Sequence, residues 1–369
     1  MPKRGYAPPF LFTMASLLRC VVSVVPFIGM SAHVSNETKK IKQAIDEAKN
    51  ILLHFHPAPD LDSVGSALAM GHVLKGLGKD VAVISGDSTP PRAFNILPGM
   101  EDVKNATIFD IDLSGFDLFI VLDSASPQMI SRKAEIVFPP HLKTIVIDHH
   151  PTNERYGDIN CVDGSYPATC QILFDLFKNW EVAITPEIAI CLLVGIFSDT
   201  GAFRYPGTTS RTFEIAAELA RHYPGFTKIL FEIENEKTPG QVLFEGVSYE
   251  HIKTYYNGRV ALSAISFETL GENHISRSDV ENNDVANTLK SVHGWDIGVS
   301  MVEKEPGLVY VSMRTRDQDS FDVSKIAVRM GGGGHRAAAG ALVKLPLEDA
   351  KKLFFEAVEK SFPELQKTK

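Results

Sequence analysis

The sequence predicts an α/β protein in which a doubly wound parallel sheet is followed by a smaller α/β domain. Short β-branched runs alternate with helical patterns in the first half, which is typical of a parallel sheet with helices on both faces. The length of 369 residues favours two domains over one. Hydrophobic residues make up 44% and charged residues 22% of the chain, so a disordered or fibrous protein is excluded.

The N-terminal segment differs from the rest of the chain. Lys3 and Arg4 precede a mostly apolar stretch that an arginine and a proline interrupt. This resembles a signal peptide, but it is a poor transmembrane span because a central arginine is costly in a bilayer. We expect residues 1–33 to be an extension outside the fold. Translation would then start at Met14 or Met30; an export or anchoring signal and a packed arm are the alternatives.

Hydrophobic patterns predict the positions of strands and helices in the first half of the chain. The predicted strands are Val81–Ser85, Leu118–Asp123 and Thr144–Asp148. The predicted helices are Ser63–Leu77, Thr169–Asn179 and Glu187–Ser198. An earlier helical pattern opens the globular part, with apolar residues three or four apart at Ile41, Ile45, Ala48 and Leu52. Two of the strands end on an acid, at the sheet edge where parallel sheets bind their ligands.

Carboxylates and imidazoles form four clusters along this half. They are His56 with Asp60 and Asp62 in HPAPDLD, Asp123 in VLDSAS, the triplet Asp148-His149-His150, and Asp199 in GIFSDTG. Taken singly, Asp60 and Asp62 could cap a helix, and the other clusters could lie in loops, in surface turns or at the end of a helix. Their conjunction favours a site for Mn²⁺- or Mg²⁺-type ions, since no thiolate accompanies the oxygen and nitrogen ligands. The set is large enough for two ions.

This succession of motifs resembles the DHH phosphoesterase superfamily from about residue 40 to the C-terminus. Its signatures are the HxxPDxD motif, the strand-end Asp, the DHH triplet and the later Asp; Leu61 stands where the family commonly has glycine. The second half is similar to the family's DHH-associated domain through LVYVSMRTR, DVSKIAVRM and the GGGGH loop. The resemblance is closest to the small two-domain subgroup of nanoRNases and 3′-phosphoadenosine 5′-phosphate (pAp) phosphatases. It implies a catalytic domain over 34–204, a linker over 205–237 and a substrate-binding domain over 238–369, with a cleft between the domains.

The resemblance also implies a role for each motif residue. Two Mn²⁺ ions, with Mg²⁺ or Co²⁺ as alternatives, would be held by His56, Asp60 and Asp123 and by Asp62, Asp123, His149 and Asp199. Asp123 would bridge the ions, Asp148 would orient its neighbours, and His150 would face the scissile phosphate as a donor or acid. Substrate would be bound by Arg204, Arg314, Gly332, Gly333, Gly334 and His335.

Three of these substrate-binding features have a second interpretation. The glycine run could be a flexible linker, or it could let backbone N–H groups approach an anion closely. A P-loop is excluded because no Lys-Ser/Thr pair follows the glycines. Arg314 and Arg316 are two apart on a predicted strand and share one face, as a solvated strand end or as a phosphate clamp. Arg204 lies between two aromatic residues and could be structural.

The expected reaction is hydrolysis of short oligoribonucleotides, pAp or both, by water that two ions about 3.5–4 Å apart activate. The alternatives are a cyclic di-AMP or linear dinucleotide (pApA) phosphodiesterase and, from another class, a non-catalytic nucleotide- or RNA-binding module. The GGGGH loop argues against the superfamily's inorganic pyrophosphatases.

Charge and cysteine usage limit the partners and the compartment. The net charge of −8 argues against long duplex nucleic acid as a partner. Four cysteines without a CxxC pair indicate buried thiols in a reducing compartment, and hence the cytoplasm. No stable membrane span is expected, and a homodimer is left open.

Overall fold

The computed structural model describes residues 32–235, 237–280 and 283–366. The chain divides into two compact units between Asn235 and residue 236. Most of the segment predicted as an extension, residues 1–31, lies outside the described residues. The first described helix begins at Ala32, and Val34 on it is fully buried in the core of the first unit.

The described part of the first unit contains six α-helices and five strands. In chain order they are α1 (Ala32–Glu47), β1 (Asn50–His54), α2 (Leu61–Gly76), β2 (Asp80–Ile84), β3 (Leu118–Leu122), β4 (Lys143–Asp148), β5 (Ile159–Val162), α3 (Thr169–Asn179), α4 (Pro186–Asp199), α5 (Ser210–His222) and α6 (Phe226–Glu234). Short 3₁₀ helices occupy the long connections around β3, at Arg92–Ile96, Met100–Asp102, Ile108–Asp110, Leu113–Gly115 and Pro127–Met129.

The five strands form a parallel sheet in the order β2-β1-β3-β4-β5. Side chains alternate between its faces: Ile120 and Leu122 join the core under the helices, whereas Phe119 and Val121 join a core on the opposite face. The predicted fold class is confirmed. Helices α1 to α3 pack on one face, but the opposite face is covered by 3₁₀ turns and loops instead of α-helices, because the segments after β2 and β3 are interrupted by prolines and glycines.

One residue of the predicted first helix belongs to a strand instead. Helix α1 ends at Glu47. Leu52 lies on β1, and its side chain is part of the core on the sheet face opposite α1 to α3. The spacing from Ile45 through Ala48 to Leu52 continues the helical period by coincidence. The prediction for Leu52 was therefore wrong, because the period of a short apolar run does not separate helix from strand.

Helix α4 is the central helix of this unit. Its residues from Ile188 to Ile196 are all buried, which fits a helix that is apolar on all sides. It packs closely against α2, where a Cβ on Gly65 would lie 2.3 Å from the carbonyl oxygen of Cys191. This close contact places the C-terminal end of α4 beside the N-terminal turn of α2.

The segment 205–237, predicted as a linker, contains helices α5 and α6. Helix α5 packs on α4 through the buried Ile215 and Leu219, and Ile229 of α6 is also part of the first core. Most of this segment is therefore an integral part of the first unit, and the change of unit falls close to its C-terminal end.

Within the described residues, the second unit contains five α-helices and six strands. In chain order they are α7 (Pro239–Glu250), β6 (Ile252–Tyr255), β7 (Val260–Ile265), α8 (Phe267–Glu272), α9 (Val285–Ser291), β8 (Ile297–Glu305), β9 (Leu308–Thr315), α10 (Ser324–Arg329), β10 (Gly333–Gly334), β11 (Ala338–Val343) and α11 (Leu347–Ser361). Two 3₁₀ helices lie at Arg277–Val280 and Pro363–Gln366. The strands form a mixed sheet in the order β10-β11-β9-β8-β7-β6, with β7 and β8 parallel and the other neighbours antiparallel.

The glycine run lies at the edge of this second sheet. Gly333 and Gly334 pair with Gly340 and Ala339 of β11, so the interpretation as a flexible linker is wrong. A Cβ on Gly332 would lie 2.1 Å from the carbonyl oxygen of Gly340, whereas a Cβ on Gly333 would meet no atom within 4 Å. Packing against β11 thus requires glycine at position 332, and the space beside Gly333 is open.

In the described part of the chain, no helix is both long enough and apolar enough to cross a membrane.

Candidate active site

The carboxyl edge of the parallel sheet and two helix ends bring the predicted ligands together. Asp123 directly follows β3, Asp148 is the last residue of β4, and His149 and His150 come next. His56 follows β1 by two residues, Asp60 and Asp62 lie at the N-terminus of α2, and Asp199 is the last residue of α4. Parallel strands end at the same edge, so acids and imidazoles spread from residue 56 to residue 199 converge on one place.

The first group of potential metal ligands is His56, Asp60 and Asp123. One potential ligand atom from each lies within 4.8 Å of the other two. Nε2 of His56 is 3.5 Å from Oδ2 of Asp60 and 3.7 Å from Oδ2 of Asp123. The two oxygens and one nitrogen form a cradle that could hold a divalent cation.

The second group is Asp62, His149 and Asp199, again with ligand atoms within 4.8 Å of one another. Nε2 of His149 lies 3.3 Å from Oδ2 of Asp199. The same nitrogen is 3.6 Å from Oδ1 of Asp123, so one oxygen of Asp123 faces each group. Asp123 therefore lies where a carboxylate shared by two cations would lie.

Asp60 serves two purposes at once. It is the N-cap residue of α2, and its Oδ1 accepts hydrogen bonds from the backbone N–H groups of Asp62 and Ser63. Its other oxygen faces His56. The capping interpretation and the ligand interpretation of this acid are thus compatible, because each uses a different oxygen.

Asp62 caps a different helix. Helix α3 begins after Ala168, whose side chain cannot cap it, and the carboxylate of Asp62 accepts hydrogen bonds from the backbone N–H groups of Thr169 (2.6 Å) and Cys170 (2.9 Å). Each carboxylate oxygen has a second lone pair, so Asp62 can still bind a cation while it is held in this way. Its side chain is fully buried.

Asp123 adopts a left-handed backbone conformation, with φ of 53°. Such a conformation is costly for a residue other than glycine, although Asp tolerates it better than most residues do. The hydroxyl of Thr169 donates a hydrogen bond to Oδ1 of Asp123 at 3.0 Å. The strained backbone and this hydrogen bond together fix the direction of the shared carboxylate.

Asp148 lies just outside the first two groups and holds the residues that follow it. Nδ1 of His150 donates to Oδ1 of Asp148 at 2.7 Å, and the side-chain amide of Asn153 donates to Oδ2 at 2.7 Å. His150 also forms a third group of potential ligands with Asp123 and His149. The structure therefore places His150 at the site and ties its orientation to Asp148, whose pKa is lowered by this hydrogen bond against the effect of burial.

The carboxylates repel one another in the absence of a cation. Burial and the neighbouring acids, Asp62 first, raise the pKa of Asp123 well above its ordinary value and raise the pKa of Asp199 to about 7. Burial also raises the pKa of Asp62. A divalent cation would relieve this repulsion, so the electrostatics of the cluster fit a metal site.

His149 is orientated as a metal ligand is. Its Nδ1 donates to the carbonyl oxygen of Tyr166 at 3.3 Å, which leaves Nε2 as the nitrogen that faces the carboxylates. This Nε2 is buried and has no hydrogen-bond partner within the described ranges. Burial lowers the pKa of His149, but the Asp199 carboxylate and the other nearby acids outweigh it and raise that pKa to about 9.

A cysteine lies beside the cluster but outside the ligand groups. The Sγ of Cys170 is 3.7 Å from the carbonyl oxygen of Asp62. Among the described residues, the three ligand groups contain only Asp and His side chains, so their donors are oxygen and nitrogen, as the sequence indicated.

The predicted substrate-binding residues belong to both units. In the first unit, Nε of Arg204 donates to the carbonyl oxygen of Gly201, so this side chain folds back on its own loop. In the second unit, Arg314 on β9 donates to the hydroxyl of Ser312, and Arg316 lies past the end of β9 and contacts the carbonyl oxygens that end α9. His335 is exposed in the turn between β10 and β11. Their role in substrate binding stays a prediction.

Sequence reasoning missed the residues that hold the ligands. They are Thr169, Cys170, Asn153, Tyr166 and Gly195. A Cβ on Gly195 would lie 2.8 Å from Oδ1 of Asp62 and 2.3 Å from the sulfur of Cys170. The absence of a capping side chain before α3 was one available signal for the contact with Asp62. The others depend on backbone atoms, on the missing side chain at Gly195, or on the side chains of Asn153 and Thr169, which lie outside the motifs.

Comparison with known proteins agrees with this geometry. Residues 50–196 match the model of the DHH family, N-terminal domain, and residues 265–364 match the DHHA1 domain. The chain is 32% identical over 309 residues to the bifunctional oligoribonuclease and PAP phosphatase NrnA of Thermus thermophilus, with 84% of this chain and 89% of that protein covered. The chain belongs to the DHH family.

Other DHH-family proteins are similar over most of their length. The bifunctional oligoribonuclease and PAP phosphatase NrnA of Bacillus subtilis is 27% identical, with 79% of this chain and 89% of that protein covered. The crystal structure of an exopolyphosphatase-related protein from Bacteroides fragilis shares the fold, with a TM-score of 0.81 at 24% identity over 90% of this chain and 98% of that one.

Membership of the DHH family settles the class of reaction. DHH phosphoesterases depend on metal ions, and this chain has the Asp and His clusters that could bind them. The protein is a metal-dependent phosphoesterase, a hydrolase that acts on phosphoric ester bonds. The resemblance predicted from the motifs is confirmed.

Proposed function

We propose that this DHH-family protein hydrolyses short oligoribonucleotides, pAp or both at a site for two divalent cations. The main support for this proposal is that two groups of potential ligands meet at one carboxylate, Asp123, which presents one oxygen to each group. The substrate class is supported by the names of the relatives that the chain matches along most of its length.

We assign the first cation to His56, Asp60 and Asp123, and the second to Asp62, Asp123, His149 and Asp199. The distances within each group and the raised pKa of the buried acids support this assignment. Bound cations would polarise the phosphoryl oxygens of the substrate and lower the pKa of water. We propose Mn²⁺, with Mg²⁺ and Co²⁺ as alternatives, because the donors are carboxylate oxygens and imidazole nitrogens.

The remaining DHH histidine would act on the substrate. Because Nδ1 of His150 is bound to Asp148, its Nε2 is the nitrogen that can donate a hydrogen bond to a phosphate oxygen or a proton to the leaving oxygen. Asp148, held by Asn153, keeps the ring of His150 in one orientation. Arg204, Arg314, His335 and the glycines at 332, 333 and 334 stay the proposed contacts for the substrate's far phosphate or base.

The compartment is also a proposal. Cys161, Cys170 and Cys191 are free and buried, which supports a reducing compartment, and we propose the cytoplasm. We assign no oligomeric state.

A substrate panel tests the proposed function. The purified protein is assayed with pAp, di- to pentaribonucleotides, pApA and cyclic di-AMP in Mn²⁺, Mg²⁺ and Co²⁺. We expect hydrolysis of short RNA or pAp, and we expect Asp123→Ala to lose at least about two orders of magnitude in kcat because the shared ligand is removed. Asp46→Ala, which removes an exposed acid of α1, is the matched control and should retain activity.

The outcomes of this panel separate the alternatives. Cleavage confined to cyclic di-AMP or pApA would replace the proposed substrate by the dinucleotide alternative. Failure to cleave any substrate with any of the three metals would favour a non-catalytic binding module. Full activity of Asp123→Ala would refute the ligand assignment.

A further inference from the structure

A partly buried chain of polar contacts lies next to the metal-ligand groups. The hydroxyl of Tyr166 donates to Oδ2 of Asp175 on α3 at 2.9 Å. The guanidinium of Arg211 on α5 donates to Oδ1 of the same carboxylate at 3.0 Å. The side chains of Asp175 and Arg211 are only 5% and 17% exposed. We call Tyr166, Asp175 and Arg211 the anchor triad.

The anchor triad is attached to the segment that orientates three of the proposed ligands. The carbonyl oxygen of Tyr166 accepts the hydrogen bond from Nδ1 of His149. Three residues further on, the backbone and hydroxyl of Thr169 hold Asp62 and Asp123, and the backbone N–H of Cys170 holds Asp62 again. We call residues 166–170 the ligand platform.

Stability alone is a weak reason for a buried ion pair of this kind. Removal of two charges from water costs free energy that their mutual attraction often fails to recover, so an apolar pair of similar volume is commonly as stable or more stable. The Asp175–Arg211 pair does something that an apolar pair could not do, because it gives the Tyr166 hydroxyl a fixed charged acceptor. It also joins α3 to α5, so the platform is held from two helices.

We infer that Tyr166, Asp175 and Arg211 are positioning residues that preorganise the site for its second cation, by fixing the ligand platform and through it the ring of His149. This inference rests on the proposed ligand assignment. None of the three side chains is assigned a contact with the metal or the substrate. Their effect is on the orientation of Nε2 of His149 and of the Asp62 carboxylate.

The first test is Tyr166→Phe, which removes one hydroxyl and leaves the platform's backbone carbonyl in place. Mn²⁺ is titrated into the metal-stripped full-length protein by calorimetry, with electron paramagnetic resonance to count bound ions. We expect one of two Mn²⁺ affinities to fall by about 3- to 10-fold, less than the 10- to 100-fold typical of a residue that touches the ligand itself. In the metal-free protein, the ¹⁵N shift of Nδ1 of His149 should also change, because its hydrogen bond to the carbonyl oxygen of Tyr166 is less firmly held.

The matched control is another ion pair between the same two helices. Lys178 and Glu218 join α3 to α5 at the surface, at 2.9 Å, and the structure gives them no contact with the platform. Lys178→Ala/Glu218→Ala should leave both Mn²⁺ affinities unchanged. If this control weakens Mn²⁺ binding as much as Tyr166→Phe does, the effect is general loosening of the helices and the inference is overturned.

A second variant separates positioning from stability. Asp175→Leu/Arg211→Met replaces the pair by apolar side chains, a change that commonly preserves or raises stability. We expect an unfolding temperature at or above that of the wild type together with weakened binding of one Mn²⁺. If both this variant and Tyr166→Phe bind Mn²⁺ as tightly as the wild type does, the inference is overturned while the proposed function stands. A wild-type protein that binds no Mn²⁺ would instead overturn the ligand assignment itself.

Discussion

At the scale of single residues, the site is a set of carboxylates that repel one another unless a cation is bound between them. Asp62, Asp123 and Asp199 each have a raised pKa, and burial is the largest cause in all three. Asp60 differs because its hydrogen bonds with His56 and with the N-terminus of α2 outweigh burial and lower its pKa. The protein thus holds ligands that take up protons when no metal is bound.

The raised pKa values of these ligands predict that protons are released when metal binds. The pKa of Asp199 near 7 and of His149 near 9 mean that the metal-free protein carries protons on these ligands at pH 7. A cation needs the carboxylate and the neutral imidazole, so binding at pH 7 should release about one to two protons, and affinity should rise about tenfold per pH unit between 7 and 9. Calorimetry in two buffers of different ionisation enthalpy measures the released protons.

The control for this prediction is Asp199→Asn, which removes one of the two titrating ligands. It should bind metal more weakly and release fewer protons at pH 7. A binding enthalpy that does not depend on the buffer would show that the ligands are already deprotonated and would contradict the prediction.

At the scale of elements, helix ends position most of the ligands. The N-terminus of α2 holds Asp60 through a cap, the N-terminus of α3 holds Asp62, and the C-terminus of α4 carries Asp199. These three helices must approach closely for the ligands to meet. Gly195 permits the approach, because α4 has no side chain at the point where Asp62 and Cys170 lie.

We therefore expect Gly195→Ala to damage both the fold and the site. The new methyl group would need space that Cys170 and Asp62 occupy, and overpacking of this kind costs about 1–3 kcal/mol of the free energy of unfolding. Chemical denaturation measures this loss, and Mn²⁺ titration should show weaker binding because Asp62 is displaced.

Gly246→Ala on α7 is the matched substitution. It is also a helical glycine, but a Cβ there would meet no atom within 4 Å. Alanine should stabilise this helix by about 0.5–1 kcal/mol, because glycine loses more backbone freedom on folding. Equal effects of the two substitutions would show that close packing at Gly195 is not what restricts that position.

At the scale of the whole molecule, charge sets what the enzyme can attract. The chain carries 45 acidic and 37 basic side chains, and its net charge of −8 gives it no general attraction for a long polyanion. Within the site, 2% of the Asp123 side chain, 21% of the Asp199 side chain and 48% of the Asp60 side chain are exposed. The net charge therefore favours short substrates.

A series of single-stranded RNAs tests this preference. We expect kcat/KM to fall by at least about tenfold between pentamers and 24-mers at low salt, because the acidic surface repels a longer polyanion. Added salt screens exposed charges, so the difference between the lengths should shrink as ionic strength rises. Equal kcat/KM at all lengths, or a difference that grows with salt, would contradict a role for the net charge.

The sequence by itself determined the chemistry of this protein and the outline of its first unit. The order of strands and helices follows from hydrophobic period, and the ligand types and their places at strand and helix ends follow from the motifs. Sequence patterns predicted the structure less well at Leu52, where the local period fits a helix or a strand. They also did not predict that irregular segments cover one face of the sheet. The glycine run was also ambiguous, because pairing with a distant strand decides its structure.

Only the tertiary structure decided how the ligands are held. Asp62 and Thr169 are 107 residues apart in the chain, yet a hydrogen bond joins them. Which oxygen of Asp60 caps α2, which nitrogen of His149 faces the acids, and how Arg211 and Asp175 anchor Tyr166 depend equally on packing. A motif records which side chains are present, but the direction in which each one points is set by backbone atoms and close contacts from other parts of the chain.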